Sequence, residues 1–117
     1  MGNQFVNKHD IVLMPFPFDD LSSGKLRPAL CLTAEIGTLR HVIMAYVTSR
    51  VSPDLKPSDV VVADSHPDFA ETGLDETSTV RLHRLITVRA SVIVHHLGSL
   101  PVAFHAEVET KIKALFD

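Results

Sequence analysis

Arg27 stands immediately before Pro28, where a polar segment gives way to an apolar run, and Thr48, Ser49 and Arg50 close the most apolar stretch of the chain. A guanidinium at the root of a strand is a planar, permanently charged fork that fits phosphate or carboxylate with two parallel hydrogen bonds. Hydroxyls and a cation at a strand end can hold phosphoryl oxygens and pass a proton. Lys25 lies just upstream of Arg27. Arg81 and His83 share one face of a later β-type run, opposite Val80 and Leu82, because alternate strand residues point the same way. Each of these also has a structural reading, as a surface arginine, an ST-turn closing a strand or a solvent-facing histidine. Taken singly, the residues do not choose between the two.

Spacing removes other chemistries. The chain contains no GxGxxG, GxxxxGKS or GxxxxGKT, so phosphate-cradling loops of those kinds are absent, and no GxSxG elbow supports a serine triad. His95 and His96 are neighbours on an extended segment and point to opposite faces. With one cysteine and no His-x-x-x-His, neither a zinc site nor any other metal or cofactor is expected.

The elements that must position these residues are mostly short strands. Residues 9–14 form an apolar run stopped by Pro15 and Pro17, and residues 16–25 (FPFDDLSSGK) have the composition of an exposed loop. Further strands are predicted over 28–33, 41–47, 60–63, 78–82, 85–88 and 92–95, with a long acidic loop between 60–63 and 78–82. Phe104, Val108, Ile112, Leu115 and Phe116 make one apolar helical stripe, with Glu107/Lys111 and Glu109/Lys113 as i,i+4 pairs. The prediction is a mainly β fold with a C-terminal α-helix, in one domain over 1–117.

Charge is uneven along the chain. The net charge is −3, which argues against a bulk nucleic-acid binder. Yet residues 54–76 carry seven acids against one lysine, whereas 77–106 contain no acid and hold Arg81, Arg84, Arg89, His83, His95, His96 and His105. Such a stretch is either a solvated edge or a local cationic face for phosphate. Cys31 lies in an apolar run without an intramolecular partner, and neither a leader-like segment nor a membrane span is visible, so a cytoplasmic protein is expected.

The order of segments is more informative than any one of them. DIVLMPFPFDDLSSGKLRPALCL (10–32), AYVTSR (45–50), PSDVVV (57–62), STVRLHRLITV (78–88), LGSLP (97–101) and the closing helix resemble the MazF/PemK family of toxins from bacterial toxin-antitoxin modules. The resemblance covers nearly the full chain. It implies an SH3-like curled antiparallel β-barrel of the MazF/CcdB type, a homodimer, metal-independent cleavage of single-stranded RNA, and a cognate antitoxin whose disordered tail folds over the toxin. It places the family's catalytic arginine on Arg27 and its catalytic threonine on Thr48. It puts Ser49 and Arg50 on positions that line the substrate groove and makes the loop over 16–25 shape the mouth of the site; Lys25, Arg81 and His83 are the further substrate-binding candidates. Better-known members carry Ser-Glu-Gln in that loop and Asp-Gln where this chain has His83 and Arg84, so their RNA sequence preference does not transfer.

Metal-free RNA cleavage uses the substrate's own 2′-hydroxyl as nucleophile, and the enzyme must remove that proton, stabilise the phosphorane and protonate the leaving 5′-oxygen. Arg27 suits the second task and Thr48 the third, while His83 is the candidate for the first. The rival readings are a gyrase-binding toxin of the CcdB kind and an inert RNA-binding or decayed toxin module. Neither of these would cut RNA.

Overall fold

The computed structural model describes residues 5–16, 25–50 and 54–117. Strands β1 (Asp10–Pro15), β2 (Leu26–Cys31), β3 (His41–Thr48), β4 (Asp59–Val62), β5 (Ser78–Arg89) and β6 (His95–Ser99) form one antiparallel sheet in the order β4-β5-β3-β2-β1-β6, followed by helix α1 (His105–Leu115). The sheet curls into a half-barrel. Its concave layer packs Ile11, Leu30, Ala45, Val47, Val80 and Leu82 against Phe104 and Val108 of the C-terminal segment. The other layer gathers Val12, Met14, Ala29, Cys31, Val42, Met44 and Tyr46. With both faces covered, β1 and β3 read in the sequence as unbroken apolar runs. Each fully buried side chain of this size contributes roughly 1.5–3 kcal/mol.

Three predicted elements differ from those observed. The runs 78–82 and 85–88 are one strand: Ala45 pairs Leu85 and the next residue, Tyr46, pairs Arg81, so residues 82–84 bulge out opposite β3. The inward set shifts there from Val80 and Leu82 to Leu85, and this change of phase, a bulge rather than a break, mimics the end of a strand in the sequence. The segment 92–95 runs from the end of a 3₁₀ turn (Ala90–Val92) through the irregular Ile93 and Val94 to the first residue of the edge strand β6, whose polar sequence HHLGS carries little strand signal. The helical stripe stops one residue early, because α1 ends at Leu115 and leaves Phe116 exposed. Of the two helix pairs, Glu107 meets Lys111 at 2.7 Å, whereas Glu109 turns to Lys8 at 2.9 Å. That contact and the stacked rings of His9 and His105, 3.5 Å apart, pin α1 to the entry of β1.

A 3₁₀ turn (Phe69–Thr72) closes part of the gap between the two sheet edges by packing on β6. Backbones touch there: a Cβ on Gly73 would lie 2.0 Å from the Leu97 oxygen, and one on Gly98 would lie 2.2 Å from the Glu71 oxygen. Gly73 also has φ +70°, which suits glycine above all other residues.

Beside the β2–β3 turn, Glu35 accepts hydrogen bonds from Arg40 Nε at 2.6 Å, from its Nη2 at 3.0 Å and from the Val6 N–H at 2.8 Å. The Arg40 bond, followed by that from Val6, holds the carboxyl at about 2, against an ordinary 4.5. A carboxylate depressed in the folded state stabilises fully above its unfolded value, and that stability fades as pH falls through the folded one. Glu35→Gln is therefore expected to lower the melting temperature at neutral pH. The wild-type and variant curves should converge between pH 4.5 and 2, and a constant gap down to the lower limit would disprove the linkage.

Candidate active site

Antiparallel register explains how Arg27 and Thr48 meet. Ala29 of β2 lies opposite Tyr46 of β3, so two further residues along each strand bring Arg27 level with Thr48. Parity puts both on the face that carries Ala29 and Tyr46. The strand ends open into a cleft of about 450 Å³ lined by Lys25, Arg27, Thr48, Ser49 and Arg50, five of the seven expected site residues. Its floor includes Leu13, Pro28 and Tyr46, and residues 73–76 form a further wall with Leu97.

Arg27 is half-buried and its Nε lies inside the protein, so the guanidinium is carried on a packed stem. The Thr48 hydroxyl accepts the Arg50 N–H at 3.1 Å. This is the ST-turn that ends the strand, and it has a chemical consequence: with one lone pair engaged, the hydroxyl proton is left to donate to a ligand. Lys25, Ser49 and Arg50 are exposed around them.

Arg81 and His83 do not line the cleft. They join a separate network on β4 and β5, in which Arg81 Nε lies 3.1 Å from the buried Asp59 carboxylate and His83 Nδ1 pairs with Ser58 Oγ at 2.9 Å. Asp59 also accepts the Lys56 N–H at 2.8 Å. Ser58, His83 and Asp59 do not make a hydrolytic triad, since serine and aspartate both address Nδ1, the latter from 4.0 Å.

Over residues 7–116 the chain matches the family described as PemK-like, MazF-like toxin of type II toxin-antitoxin system. It belongs to that toxin family. No curated protein matches it significantly in sequence. Among solved structures, the Mycobacterium tuberculosis toxin MazF-mt6 is 24% identical, with a TM-score of 0.70 over 92% of this chain and 96% of that one. MazF from Deinococcus radiodurans in its MazE-MazF complex is 20% identical, with a TM-score of 0.67 over 97% of both chains. An endoribonuclease from a mycobacterial species, in complex with its cognate antitoxin, is 15% identical with a TM-score of 0.64, covering 95% of this chain and 94% of that one. At these identities the structures establish the shared fold, which is the curled antiparallel sheet with a C-terminal helix expected from the sequence.

In this PemK/MazF member the loop expected to shape the mouth is described only at its ends, Phe16 and Lys25; residues 17–24 lie outside the described residues. Phe16 packs its ring 5.0 Å from that of Tyr46, and the guanidinium of Arg84, a residue of the bulge, stands 4.7 Å from the centre of the Tyr46 ring. Tyr46, Asp75 and Glu76 carry no site signal in the sequence, whereas Arg84 belongs to the acid-free, cationic stretch 77–106. In the sequence the two acids belong to the acidic loop over 54–76; the packing of residues 71–73 on β6 brings them to the cleft.

A second cleft of about 470 Å³, lined by Val6, Arg40, Ala90, Ile93, Val94, His95 and His96, contains none of the expected catalytic groups. Its arginine is already bound to Glu35. Cys31 is no nucleophile, because burial pushes its thiol up to about 12. No helix among the described residues is long and apolar enough to cross a membrane.

Proposed function

We propose that this toxin is a metal-independent endoribonuclease that cleaves single-stranded RNA at the cleft holding Arg27 and Thr48. The observation that carries the reading is the convergence of these two side chains, 21 residues apart in sequence, at one cleft beside Lys25 and Arg50. Arg27 would donate to two nonbridging oxygens and stabilise the phosphorane formed by 2′-hydroxyl attack. Thr48, with its proton free to donate, would hold the phosphate and protonate the leaving 5′-oxygen. Neither is a base at neutral pH. His83 could take the 2′-proton through Nε2 only from a strand that extends beyond the cleft toward β5.

Cleavage by the purified protein is expected to persist in excess EDTA and to leave 5′-hydroxyl ends, as seen by labelling the products with kinase before and after phosphatase treatment. Activity lost in EDTA and restored by Mg²⁺, or products with 5′-phosphates, would refute the mechanism.

The reading includes a cognate antitoxin, since neighbours of the same fold are described as MazE-MazF and as an endoribonuclease with its antitoxin, and it includes the homodimer that the family resemblance implies. Exposed Phe5, Ile36, Leu39 and Val94 provide apolar surface for such contacts. Light scattering should give about twice the 12.9 kDa chain mass, and a monomer that cuts RNA would remove the dimer from the reading.

A further inference from the structure

The cleft is not uniformly cationic. Lys25, Arg27 and Arg50 come from the ends of β2 and β3, whereas Asp75 and Glu76 line it from the segment that crosses the mouth of the half-barrel between β6 and β5. That segment is built to stay in place. Gly73 abuts the Leu97 backbone, the buried Thr72 bonds the Phe69 oxygen and the Leu74 N–H, and Ser78 Oγ donates to the Glu76 oxygen at 2.8 Å. Among the described residues, Glu35, Asp54, Asp59, Glu107 and Glu109 are each engaged by a cation; Asp75 and Glu76, like Asp64, Asp68, Glu71 and Asp117, make no such pair, and of these six only Asp75 and Glu76 line the cleft.

An RNA strand in this cleft has one arrangement that satisfies both walls. Its phosphates are drawn to the cations and repelled by the carboxylates, so the backbone follows the β2 and β3 ends and a base turns toward residues 75 and 76. An ionised carboxylate only accepts hydrogen bonds. Guanine is the base that meets this requirement best, because its N1–H and N2–H lie side by side and fit one carboxylate with two parallel bonds. Adenine and cytosine present one amino group beside a ring-nitrogen acceptor, and uracil flanks its single N–H with two carbonyls, so each sets an acceptor against the carboxylate.

We propose that Asp75 and Glu76 form a base-reading wall that selects guanine in the RNA strand held by Lys25, Arg27 and Arg50. The proposal rests on the ribonuclease reading for its ligand, and it adds the specificity determinant of the cleft. A bidentate pair of this kind is worth about 5- to 150-fold in discrimination.

The test uses uncleavable probes: labelled 2′-deoxyuridine pentanucleotides with a central guanine, hypoxanthine, adenine or cytosine, titrated against the wild type, Asp75→Asn, Glu76→Gln and the double variant. The wild type is expected to bind the guanine probe about 10- to 100-fold more tightly than the adenine probe. Hypoxanthine, which lacks the N2 amino group, should lose most of that advantage. The double variant should bring guanine within about threefold of adenine, because an amide cannot accept both bonds. Both side chains are exposed, so melting temperatures should not change.

Equal binding of all four probes by the wild type, or a guanine preference retained in the double variant, would overturn the proposal. Repeating the series with ribose probes separates it from the reading beneath it. Guanine-selective binding of RNA that is never cut would refute the ribonuclease and leave the base-reading wall standing. Cutting without base preference would do the reverse, and no binding at all would refute both.

Discussion

Replacing Arg27 with alanine should lower the RNA cleavage rate by about 100- to 1000-fold and abolish growth arrest when the toxin is expressed. The size follows from charge. The phosphorane carries more negative charge than the phosphate diester, and under the proposed mechanism a guanidinium held in the cleft would stabilise it without reorganising. Alanine also removes the half-buried stem, so some loss of stability is expected and the variant alone would not separate chemistry from packing. Arg27→Lys supplies the distinction. It keeps a long stem and the charge but replaces the two-pronged donor with a point charge, and it should recover less than about a tenth of the lost rate. Either variant cutting RNA at the wild-type rate, measured in single turnover with unchanged folding cooperativity, would place the active site elsewhere.

Thr48→Val is expected to cost about 100-fold in the cleavage step while leaving the melting temperature within a few degrees of wild type. Valine keeps the β-branched shape that suits the end of β3. It deletes the hydroxyl that accepts the Arg50 N–H at 3.1 Å, but Arg50 is exposed and water can replace that bond. What water cannot replace is a proton donor held at the phosphate. Thr48→Ser restores the hydroxyl and should return the rate to within about tenfold of wild type. A valine variant that binds RNA normally and cleaves it normally would assign Thr48 to the strand ending alone.

Several features of this protein are set by local sequence. The strands β1 and β3 are legible because both of their faces are buried, which leaves continuous apolar runs, and α1 is legible from the spacing of Phe104, Val108 and Ile112. Arg27 before Pro28 and Thr48 at the end of an apolar run mark themselves by residue type and position. The ordered motifs carry the family. Other features depend on contacts between segments far apart in the chain, which no local pattern encodes. The join of residues 78–89 into one bulged strand follows from pairing with Ala45 and Tyr46. The pairing of Ala29 with Tyr46 puts Arg27 level with Thr48, and a one-residue slip would turn one of them to the opposite face. Arg81 and His83 go to Asp59 and Ser58 because β4 docks beside them, so the basic side chains of the cleft are those at the ends of β2 and β3. Asp75 and Glu76 reach the cleft only because Gly73 and Gly98 let two backbones touch. Burial and spacing write the elements into the sequence, whereas register and close backbone approach decide which side chains share one space.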